Sequence, residues 1–427
     1  MDEWLDTIGK DRTNVDPNKI PWDALRTLIG QSVFGGKIDN EFDNKILQSL
    51  VNQFFRPESF NFEFGLFTVP PDSTEPVLKV PDVKNHKSFM QWIREALPDV
   101  ESPSWSGLPL NVEKLVRERQ TLAVIANMKL LQGTGDDMIT VGEEAKSQSQ
   151  GDKAQWLIKL QSKIEKMIKA LPLQLETLKR TSLSITNPLF RFLEREVTVA
   201  SSLLDVVRAD LVLVREMCMG ERKSTNILKS LAQDLHADII PKKWRRYNIA
   251  NITVSEWIDD FKKRIEQLQR VSNSTDFGRK SGLWFGGLLF PEAYMTATRQ
   301  SVAQDNKWSL EELELKFEVD PSEDSIQNNP QGFIVDGLAI EGASYAKEGQ
   351  CIKLTESLQS YLPRANLKWI NKNKNKEEDE STEYIQIPVY LNKQRTTLLF
   401  SVKIPTFGVP AYVWYQRGVA LFAWNKD

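Results

Sequence analysis

Leu283-Trp-Phe-Gly-Gly-Leu-Leu-Phe290, followed by Pro291-Glu-Ala-Tyr-Met-Thr-Ala-Thr-Arg-Gln300 and, after Trp308, by Ser309-Leu-Glu-Glu-Leu-Glu-Leu-Lys-Phe-Glu-Val319, decides how this 427-residue protein folds. The apolar run ends at Pro291, which can open a helix because the N–H it lacks would go unpaired in a first turn anyway. Glu292 then sits where a negative charge suits the helix dipole. Beyond Trp308 the period drops to two. Leu313, Leu315, Phe317 and Val319 alternate with Glu314, Lys316 and Glu318, the pattern of a half-buried strand. Residues before this stretch read mainly helical, and residues after it read β. The expected class is α+β: two helical regions, then a small antiparallel, incomplete β-barrel.

On the N-terminal side, Trp22, Leu25, Ile29 and Val33 share a helical face that Pro21 opens and Gly35-Gly36 closes. Phe42, Ile46, Leu47 and Leu50 continue in a second helix. Prolines crowd residues 57–103 around one helix, Lys87 to Ala96. Val112 to Leu131 is helical by pattern, with Leu115, Leu122, Ile125 and Met128 expected to face inward. Gln132 to Lys153 is polar and glycine-rich and reads as a mobile linker. Three units follow: 1–150, 151–312 and 313–427.

Ala154 to about Lys179 is helical, with an interruption or a kink expected near Pro172. The most regular helix comes next, with Asn187 as N-cap, Pro188 in the first position and Gly220 as the stop. Leu193, Val197, Ala200, Leu204, Val207, Leu211, Val214 and Cys218 repeat at spacings of four and three, a seam along a helix about 48 Å long. Core packing is the commoner use of such a stripe, and an oligomerising coiled coil is the other. Thr225 to Ala237 and Ser255 to Val271 are further helices, with Trp244 and Trp257 packing near their ends. In the β unit, Ile385 to Leu391 and Leu398 to Ile404 alternate, and Phe333 to Ile340, Leu367 to Ile370 and Val419 to Trp424 are further strands. Pro388 cannot donate to a ladder and suggests an outward, edge position. Asn371 to Ser381 reads as a charged hairpin loop.

Composition excludes several classes. Apolar residues at 41% and charged residues at 26% are ordinary for a soluble globular protein. A net charge of -3 argues against nucleic acid as a partner. Leu283 to Phe290 is far too short to span a bilayer, and Met1-Asp-Glu-Trp-Leu-Asp has no signal-peptide pattern. Two cysteines, Cys218 and Cys351, argue for a reducing, cytosolic compartment, in which the sequons at Asn251 and Asn273 carry no meaning.

No catalytic set assembles. Lys223-Ser224 lacks the glycines of a phosphate loop, since Met217 and Arg222 stand in their places, and Gly282, Gly286 and Gly287 miss the dinucleotide spacing. His86, His236, Cys218 and Cys351 are too scattered for a metal shell, and neither histidine has a nucleophile to serve. The acidic run Glu377 to Glu380 lacks the ligand spacing of a calcium loop. The one patch to carry forward is Lys242-Lys243-Trp244-Arg245-Arg246, where Trp244 either stacks on a partner or lies along its own helix end. With Arg191 and Arg195 these are the candidate interaction residues; no catalytic, cofactor or metal residue is assigned.

Four stretches carry a resemblance: Pro21 to Asp43, Asn187-Pro-Leu-Phe-Arg-Phe-Leu-Glu-Arg-Glu196, Phe290 to Leu313, and Tyr415-Gln-Arg-Gly-Val-Ala420. Together they resemble the C-terminal portion of dynein heavy chains of the cytoplasmic type, from the lid of the sixth AAA+ module through the C-terminal domain. The resemblance implies a non-catalytic segment that braces a ring and regulates an ATP-driven, minus-end-directed microtubule motor. ATP and Mg would sit in upstream modules, and none in this piece. Implied partners are the other AAA+ modules, the microtubule only through an upstream stalk, and accessory chains, with a cytoplasmic, cytoskeleton-associated location. It also suggests that the long helix bridges modules of the ring, its stripe being longer than a small domain needs. The alternative is a partner-docking module working through Lys242 to Arg246 and an exposed sheet edge near Pro388.

Overall fold

A computed structural model of the protein describes residues 16–35, 37–61, 63–65, 79, 81, 85–97, 110–136, 150–181, 184–247, 252–319, 332–346, 351–355, 359–373 and 383–423. The helices are α1 (Trp22–Leu28), α2 (Glu41–Phe54), α3 (His86–Ala96), α4 (Leu110–Asp136), α5 (Gln150–Ala170), α6 (Pro188–Met219), α7 (Asn226–His236), α8 (Val254–Ser272), α9 (Pro291–Asn306) and α10 (Ala411–Gln416). The strands are β1 (Leu283–Trp284), β2 (Leu313–Val319), β3 (Gly332–Asp336), β4 (Leu338–Glu341), β5 (Ala343–Ala346), β6 (Cys351–Leu354), β7 (Ser360–Tyr361), β8 (Ala365–Asn371), β9 (Tyr384–Tyr390), β10 (Leu398–Pro405) and β11 (Ala420–Ala423). The fold is α+β.

Local chemistry sets the helix ends. Asn187 caps α6 by accepting the Leu189 N–H at 2.9 Å, and Gly220 closes it in the left-handed conformation at φ 79. α8 opens with a capping box in which Thr253 and Glu256 satisfy each other's backbone N–H groups. α9 starts at Pro291 as the sequence predicts. Of the two outcomes expected near Pro172, the structure shows the interruption: α5 ends just before it. The backbone leaves the helix at Ala170, and Arg208 donates to the carbonyls of Ile168, Leu171 and Pro172 at 2.9 to 3.3 Å, satisfying acceptors that no further turn can reach.

The β-side sheets run β1-β3-β8-β2 and β10-β9-β11-β4-β7, with a separate β5-β6 pair. Among the described residues they do not close into a barrel. The edge strands β2 and β10 approach, and Lys403 pairs with Glu314 across the gap, but no ladder joins them. The sheets are also mixed, since β1 pairs β3 and β11 pairs β9 in parallel. The predicted strand Phe333 to Ile340 breaks in two at Gly337, which has φ 72. Pro388 is neither outward nor on an edge strand. It is buried in β9, between β10 and β11, and the β11 pairing begins only at Val389, so no neighbour asks Pro388 for an N–H on that side.

Two cores share α6. The first lies between the sheets and α9 and takes in Leu189, Phe192 and Leu193. The second, from Val197 to Val214, is lined by α5, α7, α8 and Trp244. The stripe on α6 is thus covered from within the protein, and its length needs no neighbouring module to explain it. The inward face predicted for α4 is not buried: Leu115 is half-buried, whereas Leu122, Ile125 and Met128 are exposed. Periodicity marks a face, but only a neighbouring element can bury it. The predicted linker is helical at both ends, as α4 to Asp136 and α5 from Gln150; its remainder, 137–149, lies outside the described residues, as do most of the charged hairpin loop and Trp424.

Candidate functional site

The backbone crossing from Gly282 to Phe290 runs between the two cores as a two-residue strand, a 3-10 turn and an extended segment, with Leu283, Phe285, Leu288 and Phe290 packed in the first and Leu289 against the second. Such a path leaves many backbone groups without regular partners, and buried groups must find others. Side chains of α6 and α8 supply them. Gln267 receives the Trp284 N–H at 2.8 Å and donates to the Trp284 carbonyl at 3.0 Å. Arg270 donates to Gly282 O at 3.0 Å, and Arg264 to Leu288 O at 3.3 Å. Arg264, Gln267 and Arg270 are three residues apart, so one face of α8 grips the crossing.

Glu196 holds the far end. Its side chain is fully buried and accepts the N–H groups of Leu289 at 3.0 Å and Phe290 at 2.6 Å, just before α9 begins. Burial pushes its carboxyl up from 4.5 to about 7, against the pull of the two backbone N–H groups and of Arg264 and Arg195. Arg195 lies over the Phe290 ring at 4.3 Å. Two of the three glycines of the crossing are there for close approach: a Cβ on Gly286 would stand 2.2 Å from Ala423 O, and one on Gly287 2.4 Å from the Trp284 ring.

From the crossing, a succession of rings runs into the helical core. The Arg264 guanidinium, ion-paired to Asp260 at 2.7 Å, touches the Trp284 ring at 5.0 Å and the Tyr247 ring at 4.2 Å. Tyr247 stacks on Trp257 at 5.6 Å, and Trp257 on Trp244 at 5.4 Å. Trp244 is wholly buried and donates from Nε1 to Asp210 at 2.9 Å. It therefore cannot stack on a partner, because its ring is an anchor of the core. Lys242, Lys243, Arg245 and Arg246 around it are exposed.

The candidate residues form two groups. Arg191 and Arg195 are exposed at the start of α6, Arg191 donating to Ile185 O at 2.8 Å. The Lys242–Arg246 turn is anchored at Asp210, fifteen residues further along the same helix, or about 22 Å. Sequence reasoning missed Glu196, Asp210, Arg264 and Gln267. For two of them a signal existed: Glu196 interrupts the stripe between Leu193 and Val197, and Asp210 between Val207 and Leu211, both on its buried side.

A third contact ties the N-terminal helices to the β side. Asn40 Nδ2 donates to Tyr390 Oη at 2.9 Å, Gln416 Nε2 to Gln53 Oε1 at 3.1 Å, and Lys45 lies over the Tyr415 ring at 5.6 Å. Partial burial raises the Asp43 carboxyl, with Arg395 pulling the other way. No helix among the described residues is long and apolar enough to cross a membrane.

Residues 118–423 match the family model for the C-terminal domain of the dynein heavy chain, and residues 2–112 match the one for its AAA lid domain. The cytoplasmic dynein heavy chain of Paramecium tetraurelia is 42% identical over the whole sequence, and that of Drosophila melanogaster 40% identical over 99% of it. The one from Dictyostelium discoideum is 38% identical over the whole sequence. The protein spans about 9% of the length of these relatives. With both of its halves matched, it belongs to the dynein heavy chain family, as an AAA lid followed by the C-terminal domain.

Proposed function

We propose that this protein is the non-catalytic C-terminal segment of a cytoplasmic dynein heavy chain, where it braces the AAA+ ring and regulates an ATP-driven, minus-end-directed microtubule motor. The observation that carries this reading is α6, one 32-residue helix shared by two cores, with Glu196 tying it to the start of α9. An element built this way transmits displacement instead of absorbing it, because bending it requires unpacking both cores at once. The lid contact through Asn40 and Tyr390 extends the same body to the N-terminal helices. ATP and Mg belong to upstream modules in this reading, and the partners of the segment are the other AAA+ modules of its own heavy chain. The location is the cytoplasm, on the cytoskeleton.

The test is Leu204→Pro in the parent heavy chain. Leu204 is fully buried in mid-helix, and proline there costs roughly 3 kcal/mol or more through the lost hydrogen bond and the ring clash. The expected result is a motor with altered microtubule-stimulated ATPase and gliding force. Unchanged activity and unchanged thermal stability would sink the brace.

A further inference from the structure

Lys242, Lys243, Arg245 and Arg246 put four cations into five residues of a protein whose net charge is -3. All four are exposed, and none has an ion pair among the described residues. Carboxylates of the adjoining segments are engaged elsewhere: Asp210 with Trp244, Asp238 with Lys163, and Glu256 in the cap at Thr253. Like charges so close repel one another, and nothing in the packing of Trp244 requires its neighbours to be basic.

The cluster is also rigid. Lys242 to Trp244 is a 3-10 turn, closed by the Arg245 N–H donating to Lys242 O at 3.3 Å. In such a turn residues three apart eclipse, so Lys242 and Arg245 lie on the same side. The buried, stacked and hydrogen-bonded Trp244 pins the turn to the core. Arg245 donates from Nε to Ile240 O at 3.0 Å, an orientation that leaves both terminal nitrogens without a partner among the described residues. A guanidinium held by its Nε is preset for bidentate contact with a carboxylate.

Trp244 also decides the kind of partner. A single-strand reader needs an exposed aromatic on which bases stack, and a bilayer anchor needs an exposed aromatic at the headgroups. Here the aromatic is inside and only charge is offered. A duplex reader spreads its cations over many phosphates, more than one five-residue turn supplies. We infer that the Lys242–Arg246 turn is a preorganised docking surface for an acidic polypeptide segment, its four cations reading carboxylates while buried Trp244 holds them in place. The inference stands apart from the brace, since it concerns a surface that α6 does not need.

The test titrates a fluorescein-labelled peptide of Glu and Asp with the 427-residue protein, read by fluorescence anisotropy. Saturable binding that weakens with salt is expected. Lys242→Glu/Lys243→Glu/Arg245→Glu/Arg246→Glu should raise Kd by at least about tenfold, as lost charge pairs do. Lys87→Glu/Lys263→Glu, at exposed sites elsewhere, should change it by no more than about twofold. Circular dichroism reports whether each variant is folded, and the milder Lys243→Gln/Arg246→Gln should fall between the two. Absence of saturation, equal binding by the quadruple variant, or tighter binding to phosphatidylserine vesicles or a DNA duplex would each overturn the inference.

Discussion

The helical core and the crossing at Gly282 to Phe290 solve the same problem in opposite ways. In the helical core the backbone satisfies itself, turn by turn, so the residues along α6 present a mostly apolar stripe, broken there by Asp210. In the crossing the backbone is irregular, and the buried N–H and C=O groups that neither the β1–β3 ladder nor the 3-10 turn satisfies need side chains from other elements. The first region therefore uses Leu, Val and Ala, whereas the second uses Glu196, Arg264, Gln267 and Arg270. The helical core buries mostly carbon, with Asp210 the acid set in it, whereas the irregular crossing is held by the buried charges Glu196 and Arg264 together with Gln267 and the exposed Arg270.

The contrast predicts different failures. Trp257→Ala empties a site where Trp244, Tyr247 and Phe261 all stack, at a cost of about 3–5 kcal/mol. Urea unfolding should show that loss with little dependence on pH. A pH-dependent loss would mean that the helical core leans on the crossing.

Glu196 should behave in the reverse manner. Its folded carboxyl titrates at about 7, above the 4.5 of an ordinary glutamate, so between these values the folded protein binds more protons than the unfolded one. Stability then falls as pH rises through that window and levels off above it, by up to about 3 kcal/mol from this group. Glu196→Gln cannot ionise and should flatten the profile between about pH 5 and 8, seen as the difference in urea midpoint. An unchanged profile would assign the titration to another group.

The smallest effect belongs to the lid contact. Tyr390→Phe removes only the hydroxyl that Asn40 meets, about 1 kcal/mol. Hydrogen exchange should quicken in α2 and stay unchanged in β4 and β8. Equal acceleration in the strands would mean that α2 is part of the β-side core and not docked on it.

The same contrast explains how far the sequence could be read. The helices α6, α8 and α9 and the strands β2, β9 and β10 follow from periodicity, caps and Pro291, because those signals are local. Sheet order is not local. Nothing near Pro388 says that β11, which starts at Ala420, will lie beside it in parallel, and the edge expected there is interior. The exposed face of α4 failed for the related reason that a stripe does not name its neighbour. Of the candidate site, the Lys242–Arg246 cations were legible as a charge run, but the burial of Trp244 was not. It depends on Asp210, which looks like any surface acid until its place in the stripe is noticed.

The hydrogen bond between Asn40 and Tyr390 joins residues 350 apart. A ribosome adding about 5–20 residues per second needs roughly 20 to 70 seconds to make that span. Throughout that interval α2 has no Tyr390, Tyr415 or Gln416 to meet, however soon its own helix forms. Its docking face is a liability of the nascent polypeptide with a fixed duration, and the lid becomes part of the body only after nearly everything between has been made.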